Sequence, residues 1–222
     1  MNFPAHRLND LVAGLADSPP ARDAQITAIT ADSRAAGPGS LFLAWPGART
    51  DGRTFVSDAI ARGATAVAYE PEGVKRGDFE RLAVPAVAVR NLAWQAGALA
   101  DRFYGSPSRP MFVVGITGTN GKTTCTWLAA QALEGQSLAG QSLEGQSLAA
   151  PPAENSAGRR CALIGTLGYG FADGLAAASH TTPDALSVHR LLRDFLDRGA
   201  SSVCMEVSSH ALDQGRVHGV RM

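Results

Sequence analysis

Residues 111–133 read MFVVGITGTNGKTTCTWLAAQAL. An apolar, β-branched run from Met111 to Ile116 enters a loop containing Gly118 and Gly121. Lys122, Thr123 and Thr124 follow, and then an apolar stretch of helical character. That order predicts a strand, a tight loop and a helix. Glycines let successive backbone N–H groups close around phosphate oxygens, and a helix N-terminus adds partial positive charge. Lys122 has the reach for β- and γ-phosphates, and the Thr123 hydroxyl is of the type that ligates magnesium. The spacing is GxxGKT from Gly118, shorter than GxxxxGK[ST], because Ile116 stands where the longer pattern has its first glycine. A ligand-free strand-to-helix turn would share the strand, the glycines and the helix, but it has no need of the Lys-Thr pair. Lys75 and Lys122 are the lysines of a chain whose remaining basic residues, out of 20, are arginines; compositional bias accounts for the scarcity, and a lysine at this point adds a minor argument for the phosphate reading.

Working outward, short apolar runs alternate with helical patterns. The strand candidates are 26–30, 40–45, 64–69, 84–89, 111–116, 161–165 and 202–207. Several are apolar throughout, as strands covered on both faces are. Helical periodicity marks 55–62, 92–103 and 184–198. In the last of these Val188, Leu191, Leu192, Phe195 and Leu196 fall on one face, with Thr182 as the expected N-cap, Pro183 at the first helical position and Gly199 as the stop. Strand–helix alternation places the chain in the α/β class, with a mostly parallel sheet. The stretch GSPSRP divides it into a small domain at 1–104, a linker at 105–110 and a second αβ block at 111–222. Within that block GQSL occurs three times at a period of five. This period matches neither helix nor strand, so 134–160 is expected to be a flexible low-complexity insertion.

Composition excludes several classes. Lys+Arg and Asp+Glu both total 20 in 222 residues, and a neutral chain lacks the basic excess of a nucleic-acid binder. No apolar run approaches the roughly 18 residues that suggest a membrane span. The N-terminus has no export-signal layout, and the expected compartment is the cytoplasm. Cys125, Cys161 and Cys204 lie in apolar runs without metal-ligand spacing and read as buried free thiols. No Asn-Lys pair is present to begin a GTPase base-reading motif, and the protein-kinase signature set is absent.

Three further segments carry candidate chemistry. In MEVSSHALDQGR (205–216), Glu206 ends an apolar strand, where metal-binding acids of nucleotide folds sit, and Ser208, Ser209, His210, Gln214 and Arg216 follow. In SHTTPD (179–184), His180, Thr181 and Thr182 precede a helix N-terminus. In TADSRAAGPGSLFLAWPGARTDGRTFV (30–56), Ser33 and Arg34 follow one strand and a turn-rich loop follows the next. On residue chemistry alone, each could instead be capping or solvated loop.

Together these segments resemble the Mur ligases, and within them the MurE type. The likeness rests on DSR at 32–34, SLFLAWPGARTDGRTF, GITGTNGKTT at 115–124, IGTLG at 164–168, HTTPD at 180–184 and EVSSHALDQGRV at 206–217. It implies an N-terminal UDP-sugar domain, a central ATPase domain and a C-terminal amino-acid domain, of which the 222 residues would hold the first and part of the second. It implies an ATP-dependent amide ligase of peptidoglycan-precursor synthesis that works through an acyl phosphate. The substrates would be UDP-N-acetylmuramoyl-L-alanyl-D-glutamate and a diamino acid, meso-diaminopimelate rather than L-lysine. By the same resemblance ATP would lie on Gly118, Thr119, Asn120, Gly121, Lys122, Thr123 and Thr124. Lys122 and Glu206 would be catalytic, and Thr123 and Glu206 would hold Mg²⁺. The UDP-sugar peptide would meet Ala31, Ser33, Ala48, Arg49, Thr50, His180, Thr181, Thr182, Ser208, Gln214 and Arg216. The intact enzyme would be a monomer without nucleic-acid or membrane partners. The family's carbamylated lysine and amino-acid domain would lie outside this chain, which is therefore expected not to ligate by itself. A non-catalytic nucleotide or UDP-sugar module and a folylpolyglutamate synthetase relative are the alternatives.

Overall fold

The computed structural model describes residues 4–48, 50–75, 77–79, 81–134 and 160–222. The GQSL repeat and Arg49 lie outside them. Two compact units are present. One comprises Met1–Ser106, Asp184–Arg190 and His210–Val220, and the other Pro107–Pro183, Leu191–Ser209 and Arg221–Met222.

The first unit opens with β1 (His6–Arg7), α1 (Leu8–Val12) and β2 (Gln25–Ile26), with β1 and β2 forming an antiparallel pair. Next come β3 (Ala28–Thr30), β4 (Ser40–Ala44), α2 (Val56–Ala61), β5 (Ala66–Tyr69), β6 (Ala86–Ala88) and α3 (Leu92–Phe103). Strands β3-β4-β5-β6 lie in that order and all are parallel. Side chains alternate across a strand, and β4 shows the result. Leu41 and Leu43 enter a core with Leu8, Leu11, Leu99 and Phe103 of α1 and α3. Phe42 and Ala44 enter another with Val56 and Ala59 of α2. Burial on both faces is why SLFLA reads as an unbroken apolar run.

The second unit holds β7 (Phe112–Ile116), α4 (Lys122–Leu133), β8 (Arg160–Gly165), β9 (Gly168–Phe171), β10 (Gly174–Ala176) and β11 (Ala200–Glu206). Helix α5 (Ala185–Asp197) contributes residues to both units, as does α6 (Ser209–Asp213). The sheet order is β10-β9-β8-β11-β7. Strand β11 is parallel to β7 and β8, and β8-β9-β10 form an antiparallel meander. On one face Trp127 and Ala130 of α4 pack with Cys161, Leu163 and Cys204. Among the described residues no helix is long and apolar enough to cross a membrane.

The structure corrects four readings. The run 26–30 is two strands in different sheets, broken at Thr27, whose N–H bonds the Gly39 carbonyl at 2.8 Å. The hairpin β9-β10 was not expected. Its glycines masked it, yet they are required: Gly168 and Gly170 have φ of +149° and +147°, and a Cβ on either would meet the facing strand's carbonyl at 2.6 Å. Helix α5 is capped by Asp184 rather than Thr182, since the Asp184 carboxylate accepts the Ser187 N–H at 3.0 Å and its hydroxyl at 2.6 Å. Cys125 is exposed, while Cys161 and Cys204 are buried.

Candidate functional site

In the second unit β7 ends at Ile116 and α4 begins at Lys122, so the intervening loop stands at the C-terminal end of a parallel strand, where α/β sheets bind ligands. Gly118 and Gly121 have φ of +143° and +77°, a region L side chains rarely adopt. The loop is exposed and leads into a 12-residue helix, whose first amides have no partner within the helix. The Lys122 ammonium donates to the Gly118 carbonyl at 2.7 Å and the Thr119 carbonyl at 3.4 Å. The lysine thus folds back over its own loop, within reach of any anion the amides hold.

Glu206, at the end of β11, is only 1% exposed. A buried carboxylate needs donors, and three reach it. The Thr123 hydroxyl donates to Oε2 at 3.0 Å, the Thr166 N–H to Oε1 at 2.9 Å and the Thr166 hydroxyl to Oε2 at 3.2 Å. Gly165 makes room, because a Cβ there would collide with the Glu206 carboxylate. The Thr166 and Thr181 hydroxyls are 3.1 Å apart. The buried Thr182 hydroxyl donates to the Glu206 carbonyl at 2.8 Å and accepts the Ser208 N–H at 3.1 Å. The fold therefore gathers Thr123, Thr181, Thr182, Glu206 and Ser208 from three segments. His180 stands beside them, with its N–H and carbonyl both on the Tyr169 hydroxyl at 3.1 and 2.5 Å. Sequence reading gave Thr166 and Tyr169 no site role. The signal for Thr166 was its place directly after an apolar strand, in IGTLG.

In the first unit a cleft of about 660 Å³ opens beside β4, and Ala31, Ser33 and Thr50 line it. Trp45 and Phe55 supply apolar wall and Arg62 a cation, none of which the sequence reading singled out. The volume suits a nucleotide-sized ligand. Its rim is built by paired charges. Asp32 accepts the Arg34 N–H at 2.9 Å and its guanidinium at 2.8 Å, and those bonds hold the carboxyl below the usual carboxylate value. Asp51 is likewise lowered by the Arg53 guanidinium. Arg53 also bonds the Glu70 and Glu72 carbonyls, tying the 46–52 hairpin to β5. Ala48 belongs to that hairpin but is not part of the cleft lining, and the Arg49 expectation falls outside the described residues.

Gln214 and Arg216 also belong to the first unit. The guanidinium donates twice to Gln214 Oε1, at 2.9 and 2.7 Å. These bonds fix the plane of an arginine suited to carboxylate or phosphate.

Comparison with known proteins gives a consistent result. Residues 25–104 match a family model described as Mur ligase family, catalytic domain, and residues 116–222 one described as Mur ligase middle domain. The UDP-N-acetylmuramoyl-L-alanyl-D-glutamate--2,6-diaminopimelate ligase of Pseudomonas aeruginosa is 47% identical over 196 residues, 88% of this chain and 36% of the relative. The ligase of the same name from Alkalilimnicola ehrlichii is 42% identical, over 97% of this chain and 40% of its own length. A solved structure of a 2,6-diaminopimelate ligase superposes with a TM-score of 0.70 at 27% identity, covering 97% of this chain and 38% of that one. The chain thus spans well under half the length of the relatives it matches.

Proposed function

Because the chain belongs to the Mur ligase family, we propose that it forms the sugar-nucleotide and ATP-binding parts of a cytoplasmic ligase of peptidoglycan-precursor synthesis. In this reading the enzyme, a monomer, joins 2,6-diaminopimelate to UDP-N-acetylmuramoyl-L-alanyl-D-glutamate. Residues 1–104 take the UDP-sugar, 105–110 link, and 111–222 take ATP. The observation that carries this is the Lys122-Thr123 helix start at the end of β7, with the Thr123 hydroxyl 3.0 Å from buried Glu206 of the neighbouring strand.

Each residue then has a task. The amides of Gly118 to Thr124 hold the phosphates, and Lys122 leaves the Gly118 carbonyl for the γ-phosphate. Thr123 and Glu206 suit Mg²⁺ by donor chemistry: both are hard oxygens, and the carboxylate sits in a cradle that a Cβ at Gly165 would fill. Among the described residues no group of three or more His, Cys, Asp or Glu could form a metal cage by itself. Such a sparse set fits magnesium, which is usually bound by one or two protein ligands plus substrate phosphate. When bound, the ion neutralises phosphoryl charge. Ser33 and the cleft hold the UDP end, and Thr181, Thr182, Ser208, Gln214 and Arg216 orient the peptide. His180 flanks it. The terminal carboxylate of the dipeptide attacks the γ-phosphorus, ADP departs, and the diaminopimelate amine displaces phosphate from the acyl carbon. Lys122 and the loop amides stabilise the charge that develops in the first step.

Calorimetry tests this. ATP with magnesium should bind the chain, and Lys122→Ala and Glu206→Gln should each weaken binding by about tenfold or more, as loss of a charged hydrogen-bond partner does. The UDP-dipeptide should bind wild type and lose affinity in Ser33→Ala. A folded chain that binds neither ligand sinks the reading.

A further inference from the structure

His189 is fully buried (0% exposed) yet lies outside both the phosphate loop and the cleft. We propose that His189 is a positioning residue: its Nε2–H holds the His218 carbonyl and thereby fixes the turn that presents Gln214 and Arg216. The ligand role of Arg216 rests on the functional reading above, whereas the anchor itself does not.

The His218 carbonyl lies 3.0 Å from His189 Nε2. A carbonyl can only accept, so Nε2 carries a proton, and in the neutral imidazole Nδ1 is then the bare nitrogen. Nδ1 faces Asp101 Oδ1 at 3.7 Å, and neither atom has a hydrogen-bond partner. The other Asp101 oxygen takes the Ser106 hydroxyl at 2.8 Å. His218 is held a second time through its ring, whose Nδ1–H donates to the Trp94 carbonyl at 2.8 Å. Its imidazole also packs on the Trp94 indole, with centroids 5.1 Å apart.

Two glycines close the joint. A Cβ on Gly97 of α3 would collide with the His218 carbonyl, and one on Gly215 (φ +64°) would meet the Trp94 ring at 2.7 Å. The turn bears on these points through its own bonds, Arg216 N–H to the Ala211 carbonyl at 2.8 Å and His218 N–H to the Gly215 carbonyl at 3.0 Å. Arg216 therefore stands two residues from an atom clamped by α3 and the first turns of α5. An arginine ordered before its ligand arrives loses less freedom on binding. A neutral imidazole suits the anchor because it supplies one N–H to a buried carbonyl without burying a charge.

The test uses the 222-residue chain with His189→Leu and His189→Gln. It reads amide hydrogen exchange over 211–220 and affinity for UDP-N-acetylmuramoyl-L-alanyl-D-glutamate. His189→Leu is expected to speed exchange in 211–220 by about tenfold or more while β3 to β6 stay protected, the mark of local opening, and to weaken ligand binding. His189→Gln keeps an N–H donor and should bring both readouts back toward wild type. Unchanged exchange in the leucine variant, or no recovery with glutamine, overturns the assignment. If the leucine variant does not fold, Gly97→Ala loads the same carbonyl from α3, and wild-type exchange in it overturns the anchor equally. If the turn loosens but wild type never binds the precursor, the functional reading and the ligand-positioning role fall together, and the anchor stands.

Discussion

Glu206 takes hydrogen bonds from Thr123 and from both the backbone and hydroxyl of Thr166, so a buried charge is matched by donors from two neighbouring segments. Its position depends on Gly165 having no Cβ. Gly165→Ala should push the carboxylate off its donors and lower stability by about 1–3 kcal/mol, as overpacking a filled site does. Urea unfolding reads this, and a wild-type midpoint would show that the site relaxes freely. The thiols make a second test at this scale. Cys125 is exposed, whereas Cys161 and Cys204 are buried with their sulfurs 3.8 Å apart. The hydrogen bond with Cys161, together with burial, holds the Cys204 thiol above its ordinary value. A thiol reagent should modify Cys125 alone in the native chain, and all three cysteines in denaturant. Lys122, Thr123 and Glu206 were legible because their chemistry is local: a lysine after a glycine, an acid at a strand end. Thr166 and the Cys161–Cys204 contact were not, because the register of β8 against β11 decides them, and parallel register is not written in either strand alone.

At the scale of elements, α5 was found from its apolar stripe, but its start was misassigned. Thr182 and Asp184 are both good caps, and the choice turned on Thr182 being engaged with Glu206 and Ser208 instead. The same helix brings a pH dependence. Burial pushes the His189 imidazole below the ordinary histidine value of 6.5, while the His218 carbonyl and Asp101 oppose this more weakly and the His218 ring adds to it. The unfolded chain therefore binds more protons than the folded one in the interval below pH 6.5, so stability rises with pH there. It is complete above that value and falls as the solution is acidified. The melting temperature should drop between pH 7.5 and pH 5.5, and His189→Gln should remove part of the drop. Equal pH dependence in the two proteins would show that His189 titrates alike folded and unfolded.

Across the whole molecule, strand–helix alternation announced two parallel αβ blocks, and each unit has a core of its own. The segmentation of the units was not legible, since residues 184–190 and 210–220 group with the first one despite following the phosphate loop in sequence. That grouping follows from contacts such as His189 and His218 with α3, which no local pattern encodes. It also gives the two ligands separable effects. A ligand that binds only the folded state stabilises it by RT ln(1 + [L]/Kd), about 2.7 kcal/mol at a hundredfold excess over Kd. At about 4–8 °C per kcal/mol for a unit of roughly 100 residues, that is a rise of about 10–20 °C in its transition. The UDP-dipeptide should slow hydrogen exchange in β3 to β6, in 211–220 and at Thr181, Thr182 and Ser208, and Ser33→Ala should abolish this. ATP with magnesium should slow exchange at 117–126 and around Glu206, and Lys122→Ala should abolish that. Because α5 and α6 supply residues to both units, exchange in 185–197 and 209–213 should respond to either ligand. Protection of the phosphate loop by the UDP-dipeptide alone, at full strength and in Lys122→Ala as well, would mean that the units do not divide the ligands in this way.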